Sequence, residues 1–520
     1  MKRTLFERTT RLFLAMVLFV SVFGGCAAAP IQSGLPSSVQ VTVLFFNDLH
    51  GHLQPFEIKA ETGKQEVGGI ARMATLINQI RAENEAKHVT TLVLVAGDIL
   101  QGTPMSTVFR GEPDIKCLNA MGVNAVTVGN HEFDFGLENF LMLQRQANFP
   151  FLSANIVDKQ SGRLLAQASL VVPLSNGLNF TIIGITTREL MTTTKPDNVA
   201  TLQVLDSVAA VQQVYEEVKG AGPVLLLSHS RHQTDRAMAE VLPDLAAIIG
   251  GHDQILLSPY RTVGRVPVFQ AFEKGRYLGR IDLQIETKSK QARLLAHTYI
   301  PITAQIPADP AIAAIVAEYD ARLGAQFKEV IGQSRVFMDG ERGHIRYEET
   351  ALGNFITDIM VENTGAQIGM INSGALRSSI KEGPVTVEDV FKAMPYANEL
   401  VLVNLTGAEI EQTLARSVQG AREDEDGGFL HVSGLFFDVR GRQVENIRIG
   451  AKQTPLNKAG AYQVVVPDFL ASGGDGHQIF KDKPQVKTGS PLRELIVETI
   501  KQRGTIDAKV EGRIRRIADK

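Results

Sequence analysis

The residues best suited to chemistry in this sequence are polar groups that follow short apolar runs. These runs span residues 41–46, 92–96, 125–128, 224–227 and 246–249. The polar groups after them supply carboxylate, imidazole and amide donors without any thiolate: Asp48, His50, Asp98, Asn130, His229, His252 and Gln254. Donors of this kind indicate a site for Zn, Mn, Fe or Co and not a structural site formed by cysteines. The sequence therefore predicts a divalent metal site.

The spacing of these donors indicates more than one ion. Asp48 and His50 are two residues apart, so in extended backbone their side chains share a face. Asp98 follows a run expected to be a central strand, which makes it the natural bridging ligand. Two ions about 4 Å apart clamp the attacking and leaving oxygens of a displacement at phosphorus and activate a water. His131 is then free to stabilise the transferring group, with Asp134 orienting it.

Each donor also has an ordinary structural explanation. An aspartate after a strand is often a cap or turn residue, and a lone histidine is often a satisfied core residue. Four of the eleven histidines, however, follow strands beside Asp or Asn. His232, three residues beyond His229, is a rival ligand there. We prefer His229 because it lies directly at the end of its run.

Apolar runs alternate with amphipathic segments over residues 39–304, which predicts an α/β domain. A further run spans 178–185, and helices are expected at 70–81 and 204–219. The runs are nearly continuous, so the sheets should be covered on both faces. Residues 266–271 and 277–286 alternate apolar and polar residues, as an antiparallel pair would.

Residues 305–332 are expected to form a linker helix, with Asp309-Pro310 at its start and Gly332 at its end. A second domain follows at 333–505, with a helix at 350–364 and strands at 401–405 and 435–439. The acidic glycine loop 424–428 is interpreted as a solvated turn without chemistry. Residues 506–520 are interpreted as a solvated basic tail.

The N-terminus indicates export into a bacterial cell envelope. A basic segment precedes the apolar run 12–23, which is short for a membrane span. Gly24-Gly25-Cys26 resembles the lipobox of bacterial lipoproteins, although Phe23 stands where Leu is usual. We expect a signal peptide at 1–26, lipidation of Cys26 with a membrane anchor, and a tether at 27–38. Ordinary cleavage, leaving a soluble protein, is the alternative.

The cysteine content and the net charge argue against a disulfide framework and against a nucleic-acid-binding protein. If Cys26 is acylated, Cys117 is the only other cysteine, so no disulfide framework forms. Cys117 lies in an apparent helix and is expected to be a packed thiol. The net charge of −3 argues against a nucleic-acid polymer as partner.

Five ordered motifs in the first domain resemble a known family. They are Asn47-Asp48-Leu49-His50-Gly51, Gly97-Asp98, Gly129-Asn130-His131-Glu132-Phe133-Asp134, Ser228-His229 and Gly250-Gly251-His252. They look like the blocks of calcineurin-like metallophosphoesterases, within them the two-domain 5′-nucleotidases that include periplasmic UDP-sugar hydrolases. The resemblance covers about 39–502. It implies an αββα two-sheet metallophosphoesterase domain, a linker helix and an α+β substrate-binding domain.

The resemblance also implies roles for individual residues. Two ion sites would share Asp98. One is completed by Asp48, His50 and Gln254, the other by Asn130, His229 and His252. His131 and Asp134 would form the catalytic dyad. Many metallophosphoesterases have a second histidine where this chain has Gln254. The glutamine is similar to the periplasmic nucleotidase branch and is a weaker ligand than imidazole.

Further motifs in the second domain resemble the family's substrate site. The segment Asn372 to Arg377 is similar to Asn-x-Gly-x-x-Arg, and its Arg377 would bind phosphate. Phe429 and Phe469 would sandwich the base, and Asp475 would bind ribose hydroxyls. Pro395-Tyr396-Ala397-Asn398 is similar to Pro-Phe-x-Asn, which adds Asn398. Without the resemblance, we would interpret Arg377 as one partner of a surface salt bridge and both phenylalanines as core residues. Family members rotate the second domain about a hinge, here near 311–327.

The expected function is hydrolysis of nucleoside 5′-monophosphates, extending to nucleotide sugars, by water activated between two divalent ions. A 2′,3′-cyclic nucleotide phosphodiesterase is one alternative, but such enzymes usually have Asn at the position of Asp134. A thiosulfate-releasing hydrolase shares the fold, yet the aromatic clamp would serve no purpose in it. The remaining alternative is a non-catalytic nucleotide-binding surface lipoprotein. The metal, the base preference and the oligomeric state do not follow from the sequence.

Overall fold

The computed structural model describes residues 35–60 and 63–518. The expected signal peptide, the Cys26 lipidation site and most of the tether lie outside the described residues. No helix within the described ranges is both long and apolar enough to cross a membrane.

The first domain alternates strands with helices, as predicted. Its strands are β1 Ser38–Phe46, β2 Pro55–Ala60, β3 Gly63–Gly68, β4 Thr90–Val95, β5 Ala125–Thr127, β6 Phe151–Leu152, β7 Ile156–Asp158, β8 Ser169–Pro173, β9 Asn179–Thr186, β10 Leu202–Val204, β11 Val224–His229, β12 Ala247–Ile249, β13 Arg261–Val263, β14 Val266–Phe269, β15 Tyr277–Glu286 and β16 Ala292–Pro301. Its helices are α1 Ile70–Glu85, α2 Pro104–Val108, α3 Glu112–Ala120, α4 Leu137–Gln146, α5 Leu190–Thr193, α6 Ser207–Val218 and α7 His232–Val241.

Two six-stranded sheets face each other in this domain. Their strand orders are β16-β15-β1-β4-β5-β6 and β13-β14-β12-β11-β9-β8. In β1, Val43 and Phe45 enter the core between the sheets, and Leu44 and Phe46 enter the core under the outer helices. Successive strand residues point to opposite faces, so burial on both faces requires a continuous apolar run. The layers are therefore αββα, which confirms the predicted fold class.

The expected pairing of residues 266–271 with 277–286 is wrong. β14 pairs with β12 and β13 in one sheet, whereas β15 pairs with β1 and β16 in the other. Alternation indicates a strand with two different faces, but it carries no information about which strand lies alongside.

The linker helix α8 spans Pro310–Leu323. Asp309 caps it as predicted, because its carboxylate accepts hydrogen bonds from the amides of Ala311 and Ile312. The helix ends at Gly324, with φ at 79°, rather than at Gly332. Gly332 instead lies inside a strand of the second domain, where an added Cβ would come within 2.7 Å of Ile500.

The second domain has α+β architecture. Its strands are β17 Val330–Ser334, β18 Ile368–Asn372, β19 Gly383–Thr386, β20 Glu399–Thr406, β21 Leu430–Ser433, β22 Leu435–Arg440, β23 Gln443–Ile449, β24 Thr454–Pro455, β25 Ala461–Pro467, β26 Gln485–Pro491, β27 Thr505–Ile506 and β28 Ile514–Ile517. Its helices are α9 Arg342–Ile345, α10 Ala351–Thr364, α11 Val387–Ala393, α12 Gly407–Ser417, α13 Asp468–Ala471 and α14 Leu492–Arg503. The central sheet has the order β21-β18-β25-β20-β26.

The structure differs from the predicted solvated tail at 506–520. Residues Ile514–Ile517 form β28, which pairs in parallel with β22. The preceding Arg513 is buried and donates hydrogen bonds to Asp358 and to the carbonyl of Val432. Arg515 and Arg516, two of the basic residues that suggested a solvated end, therefore belong to a sheet.

Candidate active site

The polar residues predicted at the strand ends meet at one edge of the two sheets. The loops after β1 and β4 are joined by hydrogen bonds from the amide of Asp48 to Gly97 and from the amide of His50 to Asp98, both at 3.0 Å. The amide of His252 donates to an Asp48 carboxylate oxygen at 2.9 Å. Residues more than 200 positions apart in the chain are thereby brought together.

Several of these residues adopt the left-handed backbone conformation. The φ angles are 49° for Asp48, 48° for His50, 52° for Asp98, 75° for His252 and 59° for Gln254. Such a conformation costs a non-glycine residue on the order of 1–3 kcal/mol and is concentrated at functional sites. The strain here is borne by the residues that project donor atoms toward one point.

The donors form two groups that share Asp98. Ligand atoms of His50, Asp98 and His131 lie within 4.8 Å of one another, and so do those of Asp98, His229 and His252. These buried aspartate and histidine donors, with no thiol among them, suit divalent cations. One oxygen of Asp48 is also buried without a hydrogen-bond partner. A cation would compensate for that unsatisfied oxygen, so the residues fit the expected ions.

In His229 and His252, a hydrogen bond to one ring nitrogen determines which nitrogen remains for an ion. His229 donates from Nδ1 to the carbonyl of Ala96 at 2.7 Å, which turns Nε2 toward Asp98 at 3.1 Å. His252 places Nε2 2.9 Å from a Glu189 carboxylate oxygen, which leaves Nδ1 for an ion. A carboxylate partner also raises the basicity of a ligating imidazole. Glu189 was not identified from the sequence.

Asn130 and Gln254 complete the predicted donor set. The Asn130 amide oxygen lies 3.3 Å from Nε2 of His229. The Gln254 amide nitrogen lies 2.7 Å from Nε2 of His50, and its oxygen accepts a hydrogen bond from Arg342 at 2.8 Å. The rival ligand His232 lies apart from both groups and pairs with Asp253.

His131 and Asp134 form a buried pair. Nδ1 of His131 lies 2.7 Å from an Asp134 carboxylate oxygen, and its Nε2 lies 3.9 Å from Asp98. Burial alone lowers the pKa of His131, but the carboxylates of Asp134 and Asp98 outweigh it and raise the pKa above its ordinary value. The orientation of the imidazole is therefore fixed, and its protonated form is stabilised.

Glu132 supports this loop from behind and was not singled out in the sequence. Its carboxylate accepts hydrogen bonds from the amides of Asp98, Ile99 and Gly129. Gly129 is required here, because an added Cβ would lie 2.3 Å from an Asp98 carboxylate oxygen. Glu132 thereby links the loop that carries Asp98 to the loop that carries His131.

A cavity of about 500 Å³ extends from these donors into the second domain. Four arginines from that domain line it: Arg342, Arg346, Arg377 and Arg416. Nη2 of Arg377 lies 3.1 Å from Nε2 of His50. Burial and the neighbouring guanidinium groups lower the pKa of Arg346, as expected where positive charge is concentrated. Arg342 and Arg346 were missed, although their spacing of four residues is a recognisable signal.

The structure contradicts the stacking role expected of Phe429. Its side chain is 1% exposed and packs in the core of the second domain. Tyr396 lines the cavity instead, and its ring stacks on His131 with centroids 6.1 Å apart and an interplanar angle of 26°. Phe469 also lines the cavity. The Pro-Tyr-x-Asn motif was the available signal, and the amide of its Asn398 donates to Asp468.

Asp475 lies in the same cavity, at φ 49°. It accepts a hydrogen bond from the side chain of Asn372 at 2.8 Å, and Arg416 donates to its backbone carbonyl at 2.7 Å. Burial raises the pKa of Asp475 to about 6, although the hydrogen bond from Asn372 opposes the shift. Its carboxylate is fixed in position but retains one oxygen for a ligand.

Comparisons with known proteins agree with this architecture. Residues 41–255 match the calcineurin-like phosphoesterase family, and residues 330–482 match the 5′-nucleotidase C-terminal domain. A 5′-nucleotidase of Vibrio cholerae is 29% identical over 539 residues, covering 94% of this chain and 95% of that protein. A 5′-nucleotidase of Bos taurus is 30% identical over 530 residues, covering 91% and 90%.

A solved structure extends the agreement to three dimensions. The 5′-nucleotidase precursor from Thermus thermophilus superposes with a TM-score of 0.82 at 30% identity, covering 92% of this chain and 99% of that one. The superposition therefore extends over both domains of this chain. This chain belongs to the 5′-nucleotidase family, with a calcineurin-like phosphoesterase domain at its N-terminal end.

Proposed function

We propose that this chain hydrolyses nucleoside 5′-monophosphates and also nucleotide sugars, with two divalent metal ions such as Zn or Mn. The observation that carries the proposal is the sharing of Asp98 between two buried donor groups at one end of a cavity that four arginines of the second domain line. When bound, the ions polarise the phosphate and lower the pKa of a water molecule.

The remaining roles belong to side chains of this chain. Asp48, His50, Asp98 and Gln254 hold one ion, and Asp98, Asn130, His229 and His252 hold the other. Arg377, together with Arg342 and Arg346, binds the phosphate oxygens through guanidinium forks. His131, oriented by Asp134, stabilises the transferring group and protonates the departing oxygen of the nucleoside.

The second domain recognises the nucleoside in this proposal. Tyr396 and Phe469 offer aromatic faces to the base, and such stacking tolerates many bases. Asp475 accepts hydrogen bonds from ribose hydroxyls. Asn398 positions the loop of Tyr396 through its bond to Asp468 at 3.0 Å.

A 2′,3′-cyclic nucleotide phosphodiesterase remains the second candidate, and Asp134 argues against it. Such enzymes usually have Asn at this position, whereas here an ionisable carboxylate contacts the imidazole. A surface lipoprotein without turnover would have no need for the buried dyad. Export and a lipid anchor at Cys26 remain part of the proposal.

The test is phosphate release from AMP, UDP-glucose and 2′,3′-cyclic AMP, with Mn²⁺ or with EDTA. An Asp98→Asn variant serves as the control for contaminating phosphatases. We expect metal-dependent turnover of AMP in the wild type alone. Absence of metal-dependent turnover on every nucleotide refutes the enzymatic function, and a preference for the cyclic substrate refutes the nucleotidase assignment.

A further inference from the structure

The acidic glycine loop 424–428 lies between the two domains rather than in solvent. The backbone carbonyl of Asp424 accepts a hydrogen bond at 3.2 Å from Nη1 of Arg231, which belongs to the first domain. The next residue, Glu425, pairs with Arg342. The sequence interpretation of this loop as a turn without chemistry therefore does not account for its contacts.

Arg231 faces both domains at once. While Nη1 reaches Asp424, its Nε donates to one carboxylate oxygen of Glu189 at 2.8 Å. The other oxygen of Glu189 lies 2.9 Å from Nε2 of His252. Arg231 also lies 3.6 Å from Asp253. A continuous polar chain thus runs from the second domain to a predicted metal ligand.

The other side of the loop is fastened to the nucleoside end of the cavity. Asp426 accepts a hydrogen bond at 2.6 Å from Arg416, which also donates to the backbone carbonyl of Asp475. The carbonyl of Gly427 accepts hydrogen bonds from the amide of Gly374 and the hydroxyl of Ser373. Whatever positions Asp475 therefore also positions the segment that Arg231 contacts.

We propose that Arg231 is a positioning residue that couples occupancy of the nucleoside site to metal affinity at His252. A nucleoside that contacts Asp475 holds the loop in place, the loop holds Arg231, and Arg231 fixes the Glu189 carboxylate that orients the imidazole. Coupling of this kind is reciprocal, so a nucleoside tightens metal binding by the same factor as the metal tightens nucleoside binding. This inference rests on the proposed nucleotide-binding function.

The geometry distinguishes Arg231 from an ordinary surface ion pair. A surface pair contributes little and serves only its two partners. Here one planar guanidinium spans a carboxylate of the first domain and a carbonyl of the second, which a lysine ammonium cannot do with the same two-directional fork. Arg188, the neighbour of Glu189 in sequence, provides the contrast, because it is 65% exposed and pairs only with Asp206 among the residues that the structure describes.

The test measures the dissociation constant of Mn²⁺ from the full chain by electron paramagnetic resonance of free Mn²⁺, with and without saturating adenosine. We expect adenosine to tighten Mn²⁺ binding about fivefold or more in the wild type, the usual range of such coupling. Arg231→Met should bring the ratio close to one, Arg231→Lys should reduce it, and Arg188→Met should leave it unchanged. Thermal melting verifies that each variant is folded.

The outcomes separate this inference from the proposed function. Retention of the full ratio in a folded Arg231→Met or Arg231→Lys variant overturns the role of Arg231. Equilibrium dialysis measures the binding of adenosine to the wild type. If adenosine binds but the affinity for Mn²⁺ does not change, the coupling alone is overturned. Failure of the wild type to bind adenosine at all overturns both the coupling and the proposed nucleotide specificity.

Discussion

The pair His131–Asp134 allows the most direct test of the proposed chemistry. Asp134→Asn keeps the size of the side chain and an oxygen that can accept the Nδ1 hydrogen, but it removes the negative charge 2.7 Å from the imidazole. The Asp134 carboxylate is one of the groups that raise the pKa of His131. The substitution therefore lowers that pKa and weakens the protonated imidazole that assists the departing nucleoside oxygen.

The size of the effect follows from replacing one buried, charge-assisted hydrogen bond with a neutral one. A bond to a charged group is worth roughly 1.5–3 kcal/mol and a neutral one roughly 0.5–1.5 kcal/mol, so the loss is roughly 1–1.5 kcal/mol. Since about 1.36 kcal/mol corresponds to a factor of ten, we expect kcat on AMP to fall about 5- to 12-fold. His131→Ala should lose at least as much while retaining its metal, because His131 is not assigned as a ligand.

The assay is steady-state phosphate release from AMP and from 2′,3′-cyclic AMP, with metal content measured by mass spectrometry. The cyclic diester carries less charge and releases ring strain, so its hydrolysis should depend less on the charge of Asp134. We expect the ratio of cyclic to monoester activity to rise in Asp134→Asn.

Three results would refute this reasoning. Loss of metal from His131→Ala would identify His131 as a ligand. Equal losses of activity on AMP and on 2′,3′-cyclic AMP would show that Asp134 does not determine the choice between these substrates. In a double-mutant cycle, a further large loss when Asp134→Asn is added to His131→Ala would show that the two residues do not act as a pair.

The other predictions concern the substrate cleft and the ions. Tyr396→Ala should raise KM for AMP by roughly tenfold, as loss of one base-stacking ring would, while sparing kcat on a small aryl phosphate; an equal effect on both substrates would contradict stacking. Phe429→Ala should instead destabilise the fold by about 3–5 kcal/mol, measured by urea unfolding, with KM for AMP little changed in the folded fraction. Arg493→Met removes a hydrogen bond to the carbonyl of Pro395 and a guanidinium stacked 3.7 Å from the Phe391 ring centroid, so KM should rise as in Tyr396→Ala but less; an unchanged KM would exclude this support. EDTA should lower the melting temperature and Mn²⁺ should restore it, since an ion that binds only the folded state stabilises it; identical melting curves would argue against the metal site.

Much of the metal site could be predicted because it depends on local chain geometry. An apolar run of five or six residues that is buried on both faces has to be a strand, and parallel strands end at the same edge of a sheet. The rule places Asp98 and His229 each at the end of a strand. Their strands β4 and β11 belong to different sheets, so the packing of the two sheets brings the side chains to 3.1 Å from each other. The linker helix also followed from local signals, namely the Asp309 cap and the proline after it.

The aromatic clamp and the interdomain loop could not be predicted in the same way. Phe429 directly precedes β21 and is covered by residues from distant parts of the second domain, whereas Tyr396 occupies a loop that opens into the cavity. The sequence presents both as aromatic residues in suggestive motifs. Only the packing of segments far apart in the chain decides which ring is exposed to a ligand.

The same reason explains the loop 424–428 and the C-terminal strand β28. A run of charged residues is normally solvated, and nothing local reveals that Arg231, nearly two hundred residues earlier, contacts Asp424. The sequence by itself determined the two domains, their order and the donors at the strand ends, because these depend on periodicity and strand direction. The tertiary structure decided which surfaces meet, since burial and pairing depend on partners that are distant in sequence.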